Sequence, residues 1–173
     1  NYEKKQKIYE VTDKYYRYMP TEKREAFDDE VKENLKEEME KHKHLEYTII
    51  HKIMLSGDSV EIGETGKVPG HVINQFSMDE HEKVFRIATT LNGRWSRFTE
   101  ERTESTNNVY TLDEDMEIMD SLEGLAETER IYSTRFIEDK LYMVTFRQTD
   151  PFFVIDLKDP EDIKDLGELK IPG

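Results

Sequence analysis

The sequence predicts a mainly β fold, built from four-stranded antiparallel units and preceded by an α-helical hairpin. Three observations carry that prediction. Apolar residues recur at spacings of three and four as far as His44, and at a spacing of two beyond Leu45. The extended segments after Leu45 follow one another with no helical stretch between them, which excludes alternating βαβ units. Those segments also repeat as a set of four.

In the helical part, Ile8, Val11, Tyr15 and Met19 form a narrow apolar stripe on a charged helix. Met19-Pro20-Thr21 breaks it, because the residue before proline avoids the helical region and proline has no amide to donate. Thr21 is expected to cap a second helix, with Glu22 and Glu25 at its positive end. Phe27, Val31, Leu35 and Met39 then recur every fourth residue, and Lys41 to His44 close the segment. Two helices joined by so short a break predict a helical hairpin.

The extended segments begin with YTIIHKIML (Tyr47 to Leu55) and SVEIGET (Ser59 to Thr65), a hairpin around Ser56-Gly57-Asp58. VINQFSM (Val72 to Met78) and KVFRIATT (Lys83 to Thr90) flank a turn at 79–82. Beyond a long polar loop come NVYTLD (Asn108 to Asp113) and MEIMDSL (Met116 to Leu122). RIYSTRFI (Arg130 to Ile137) and KLYMVTFRQ (Lys140 to Gln148) enclose Glu138-Asp139, and FFVIDL (Phe152 to Leu157) and IKDLGEL (Ile163 to Leu169) complete ten strands.

The repeat emerges when VINQFSMDEHEKVFRIATT is set on RIYSTRFIEDKLYMVTFRQT. Ile73 falls on Ile131, and Val84-Phe85 on Leu141-Tyr142. In the second halves Leu112 falls on Leu157, Ile118 on Ile163 and Asp120 on Asp165. Repeats of four strands and roughly 40–50 residues are the signature of propeller blades. TGKVPG (Thr65 to Gly70) and ELKIPG (Glu168 to Gly173) mark the passage from one blade to the next. The organisation is therefore a helical arm at 1–44, the outer hairpin of a preceding blade at 45–70, a blade at 71–129 with a long loop at 91–107, and a blade at 130–173. The whole reads as a partial β-propeller, and the chain's ending on Pro-Gly as a cut before a further blade.

The phrases NQFSMDE (Asn74 to Glu80), ERIYS (Glu129 to Ser133) and TFRQTDPFFVIDL (Thr145 to Leu157) resemble an archaeal and bacterial family of secreted proteins. Its members carry a C-terminal β-propeller domain distantly related to WD repeats. The resemblance covers residues 45–173, and the helical segment matches in kind only. It implies more blades on either side, an extracellular or cell-envelope location, and no catalytic residues to carry over.

Composition bounds the function. The 173 residues are 35% hydrophobic and 37% charged, with a net charge of −14. Nonspecific nucleic-acid binding calls for a basic surface, so nucleic acid is not an expected partner. Without cysteine there is no disulfide, no thiolate zinc site and no thiol nucleophile. No apolar run approaches the ~18 residues of a membrane span. Neither a metal nor a cofactor is expected: Asp113 to Glu117 lacks the glycine and closing glutamate of a calcium loop. His42 and His44 lie on different faces of a helix, and His81-Glu82 lacks a second histidine.

Candidate binding residues cluster in the long loop, where Trp95 is flanked by Arg94 and Arg97 and followed by Phe98. An exposed aromatic between arginines can stack on a sugar, a peptide or a base; the alternative is that Trp95 folds back as a lid on its own blade or extends the hairpin beyond the sheet. Arg147 and Asp150 form a second polar knot at the matching place in the next blade, with Asp150-Pro151 expected in a turn. No nucleophile-base order and no phosphate loop is legible. The expected function is a non-catalytic recognition or scaffold module with a protein or surface-glycan ligand. An enzyme whose site lies in the channel of the full propeller is the alternative. Unpaired edges and faces predict self-association.

Overall fold

The computed structural model describes residues 2–41, 46–95, 102–146 and 150–171. They fall into a helical unit and a β unit. His42 and His44, set aside as metal ligands on the sequence, lie outside the described residues.

In the helical unit α1 spans Tyr2–Arg17 and α2 spans Thr21–Lys41. Thr21 is the first helical residue rather than the cap. Pro20 takes the cap position, its carbonyl accepting the Arg24 N–H at 2.9 Å. Arg24 ties the corner by donating to the carbonyls of Arg17 and Met19, two of the acceptors that a helix end leaves without partners. Its guanidinium also lies over the Tyr16 ring, 5.2 Å from the centroid. The helices meet through Tyr16, whose hydroxyl donates to the Asp28 carboxylate at 2.7 Å and whose ring abuts Phe27. The stripe read from the sequence is not that contact face, since Ile8, Val11 and Tyr15 are exposed.

The β unit begins with a hairpin of β1 (Tyr47–Ser56) and β2 (Ser59–Pro69). The first four-stranded sheet orders β3 (Met78–His81), β4 (Val84–Leu91), β7 (Thr106–Leu112) and β8 (Ile118–Leu125) as an antiparallel meander. Between β4 and β7 runs a small ribbon of β5 (Arg94–Trp95) and β6 (Arg102–Thr103). The second sheet is the meander β9 (Arg130–Ile137), β10 (Lys140–Phe146), β11 (Asp150–Asp156) and β12 (Lys164–Ile171). Two four-stranded meanders after an outer hairpin is the architecture that the repeat predicts.

Three details differ from the sequence expectation. Val72 to Ser77 is not a strand: Asn74 caps a 3-10 turn at Gln75–Ser77 by accepting the Phe76 N–H, and β3 starts only at Met78. The reversal into β4 falls at Glu82 and Lys83, both at positive φ, so Lys83 sits in the turn while Lys140 begins a strand. Matching the hairpins by their turns therefore pairs Phe85 with Leu141 and Ala88 with Val144, one residue away from the match of sequence. A one-residue slip exchanges the two faces of a strand. Finally, Asp150 and Pro151 belong to β11, opposite Ile171 and Lys170, rather than to a turn.

Alternation along β4 and β7 makes the first sheet buried on both faces. Phe85, Ile87, Tyr110 and Leu112 point one way, packing with Ile50, Val68 and Met116 under the hairpin. Ala88 and Val109 point the other way, into a core with Leu141, Met143, Phe153 and Ile155 of the second sheet. Polar side chains stitch the same junction. Arg86, ion-paired with Asp79, donates to the Glu138 carbonyl, and Thr111 donates to the Pro160 carbonyl at 2.6 Å. Asn107, fully buried, accepts the Ile131 N–H at 3.0 Å and the Thr90 hydroxyl at 2.7 Å.

The crossing after β2 depends on one glycine. Gly70 sits at φ +88, and a Cβ there would lie 2.8 Å from the Thr90 carbonyl oxygen. His71 then bridges to Thr90 in both directions, at 2.9 and 3.0 Å. Pro69-Gly70 thus carries the chain from the hairpin to the first sheet; the second Pro-Gly pair lies outside the described residues.

Candidate functional site

The meanders sort their connections to two ends. Tight turns at 57–58, 82–83 and 138–139 and the acidic segments at 113–117 and 157–163 share one end. The other end takes the approach to β1 at Glu46, the crossing at 69–71, the segments 92–95 and 102–105, and the strand ends at Phe146 and Asp150. Of the sequence-predicted site residues, Arg94, Trp95 and Asp150 fall at strand ends of this loop-bearing end.

Arg94 is exposed at the root of the β5–β6 ribbon, with its backbone N–H donating to the Thr103 hydroxyl at 3.1 Å. Trp95 pairs with Arg102 in the ladder, so the register puts an aromatic residue directly across from a third arginine of this loop. Exposed Arg102 has Glu104 as its ion partner at 3.4 Å. Gly93 permits the ribbon to close, since a Cβ there would come within 2.8 Å of the Thr103 carbonyl oxygen. The described ends of the loop form a short ladder, as expected if the loop extends the hairpin beyond the sheet. Asp150 lies at the head of β11, across from Ile171. Arg97, Phe98 and Arg147 lie outside the described residues, as does the expected pairing of Arg147 with Asp150.

At the foot of the ribbon is a cluster that the sequence reading did not single out. The Asn92 amide donates to both carboxylate oxygens of Glu46, at 3.2 and 3.1 Å. The His71 ring meets the same carboxylate, with Nδ1 at 3.1 Å from Glu46 Oε1. Both Glu46 and His71 are partly exposed. When Nδ1 carries the proton, Glu46 fixes that tautomer and leaves Nε2 as an acceptor, the arrangement that orients a histidine for proton transfer. Nothing in the local sequence announces it, because the pairing of Tyr47 with Pro69 and the bridge of His71 to Thr90 bring the three segments together.

The opposite end is knit internally. Asp113 accepts the N–H groups of Asp115 and Glu117, both at 2.9 Å, as a polar turn does. His81 faces Asp139 across the sheet junction at 3.7 Å. Among the described residues no group of three or more His, Asp or Glu side chains converges as metal ligands would, and no helix is long and apolar enough to cross a membrane.

Two stacked four-stranded meanders define a propeller-type scaffold, and comparison with known proteins agrees. Residues 2–173 match the family described as beta propeller domain, and the chain belongs to that family. The match takes in the helices, where the resemblance read from the sequence was one of kind only. An uncharacterized protein of Methanocaldococcus jannaschii is 46% identical over 167 residues, which cover 96% of this chain and 26% of that protein. An uncharacterized protein of Archaeoglobus fulgidus is 40% identical over 156 residues, covering 90% of this chain and 23% of that protein. The chain therefore spans about a quarter of the length of these curated relatives. No solved structure matches it.

Proposed function

We propose that the chain is a non-catalytic recognition and scaffold module of a secreted or cell-surface propeller protein, and that it reads a protein or glycan ligand with its loop-bearing end. One observation carries this reading. The longest connection between strands of the two sheets, 92–105, is at this end, and its ribbon pairs Trp95 with Arg102 next to Arg94. Loops held by a rigid scaffold are the usual place for binding residues, and arginines beside an aromatic residue suit stacking with charge. A binding assay against panels of neutral and acidic glycans and envelope peptides tests it. The double substitution Arg94→Ala, Trp95→Ala should weaken binding of any ligand found by more than about tenfold, a typical hot-spot loss. Glu114→Ala at the opposite end should leave that binding unchanged. Equal binding by both variants contradicts the reading.

The Glu46–His71–Asn92 cluster favours a second reading, in which the full propeller houses an enzyme and His71 moves a proton. Its test is separate: His71→Ala would abolish turnover in the longer polypeptide while leaving ligand binding at the ribbon intact.

A further inference from the structure

We propose that Glu46, His71 and Asn92 form a binding site for a first-row divalent cation, zinc above all. Three atoms carry the inference. His71 Nδ1 lies 3.1 Å from Glu46 Oε1, the Asn92 amide nitrogen 3.2 Å from the same oxygen, and the two nitrogens 3.3 Å from each other. The three edges make a nearly equilateral triangle. Ligand atoms about 2.0–2.1 Å from a tetrahedral zinc ion stand about 3.3 Å apart, so the triangle has the dimensions of one face of such a site. Only two of the three ligands ionise, so the cluster is not one of convergent His, Asp and Glu side chains; the third donor is the amide.

The third donor requires a half-turn of the Asn92 side chain. The two ends of an amide are close in shape, so rotation about Cβ–Cγ sets Oδ1 where Nδ2 stands without moving the backbone. Alone, that turn would set an amide oxygen against the Glu46 carboxylate, acceptor against acceptor. A cation at the centre reverses the sign of the contact. The hydrogen bonds from Asn92 to Glu46, at 3.2 and 3.1 Å, and a cation are therefore alternative ways to satisfy the same carboxylate.

The backbone holds the three ligands in register. The Glu46 carbonyl accepts the Gly70 N–H at 2.9 Å, and His71 bridges to Thr90 in both directions. Asn92 follows two residues later, its own N–H donating to Glu46 Oε2 at 3.4 Å. Ligands set in place beforehand lower the entropic cost of binding. Histidine, carboxylate and amide oxygen without thiolate suit zinc, cobalt or manganese rather than copper(I), and the nitrogen donor disfavours calcium. The Glu46 and His71 side chains are 33% and 45% exposed, so a water can complete the coordination. The net charge of −14 draws cations toward the chain. In this role Nδ1 gives its lone pair to the cation and Nε2 keeps the proton, the opposite tautomer to that of the enzyme reading.

The test is calorimetric titration of the tag-free chain with zinc chloride, run against calcium chloride. Zinc should bind one ion per chain and raise the thermal midpoint, and calcium should do neither. His71→Ala, with circular dichroism confirming its fold, should weaken zinc binding by more than about a hundredfold. That exceeds the loss of about 10–100-fold typical of a residue that only supports a ligand. His51→Ala and His81→Ala should leave binding unchanged. Asn92→Asp separates a ligand from a hydrogen-bonding partner. It sets a second carboxylate against Glu46, so it should lower stability in EDTA, yet keep zinc binding and regain stability with zinc. The absence of saturable zinc binding overturns the proposal, as does binding of equal strength after His71→Ala, or calcium binding in place of zinc. If His71→Ala fails to fold, His71→Gln replaces it with the same expected outcome. The readout is cation binding alone, so it stands apart from turnover and from any ligand at the ribbon.

Discussion

The Asp120 carboxylate in the first sheet accepts the backbone N–H of Ile163 in the second, at 2.8 Å. Its other oxygen accepts the N–H of Ser121 at the same distance. One side chain thus holds the approach to β12 against the neighbouring sheet, beside a buried Ile163. Asp120→Ala removes a charged acceptor and leaves an amide without its partner. The expected loss is about 2 kcal/mol in denaturant unfolding. Asp165→Ala, whose carboxylate serves Gly167 within its own sheet, should cost less.

Asn107 should be the more damaging site. Its amide donates toward the carbonyls of Leu125, Ala126 and Glu129 while its oxygen serves Thr90 and Ile131. Asn107→Leu keeps the branched heavy-atom skeleton, with bulkier methyl groups, and removes every one of these bonds. Unfolding should show a loss of about 3 kcal/mol or more, the range for breaking a buried polar network.

Gly70→Ala tests the crossing. The added methyl group meets backbone 2.8 Å away, and the residue must hold φ +88. About 3 kcal/mol of destabilisation is expected from strain and contact together. Gly57→Ala serves as the comparison, since its φ is also positive but no atom lies within 4 Å of the added carbon.

The buried Tyr110 gives a pH dependence. Burial raises its phenol well above the usual tyrosine value of 10.0, and Glu123, which accepts its hydrogen bond at 3.2 Å, raises it further. A raised acid favours the folded state while protonated, so its contribution is complete below pH 10.0 and lost as pH rises beyond that. Ultraviolet titration should show one tyrosine ionising only with unfolding, and Tyr110→Phe should remove that step.

Much of this fold was legible because it rests on short-range signals. Period-two runs bounded by turn residues located β9, and the acidic turn at Glu138 fixed the start of β10. The copies could be aligned only to within a residue, because both place a lysine directly after an acidic residue while the structure uses Lys83 in the turn and Lys140 in the strand. Val72 to Ser77 reads as a strand by composition, yet Asn74 captures the Phe76 amide and diverts it. Of the candidate site, the arginine and tryptophan content of the loop was visible, but the Trp95–Arg102 pairing was not. The Glu46–His71–Asn92 cluster depends on the return of β2 beside β1, a long-range event with no local signal.

The face-to-face stacking of consecutive four-stranded sheets is most directly tested by a disulfide across their junction. The hydroxyl of Ser77, which ends the 3-10 turn leading into the first sheet, and that of Thr134 in β9 of the second lie 2.8 Å apart, both buried, and the natural chain has no cysteine to interfere. In Ser77→Cys, Thr134→Cys the two sulfurs should close an intramolecular disulfide under mild oxidation, a bond that demands close and correctly directed Cβ atoms. A compact, faster-migrating species that reverts on reduction is the predicted result. Two thiols that stay free in the folded, oxidised protein would contradict the stacking.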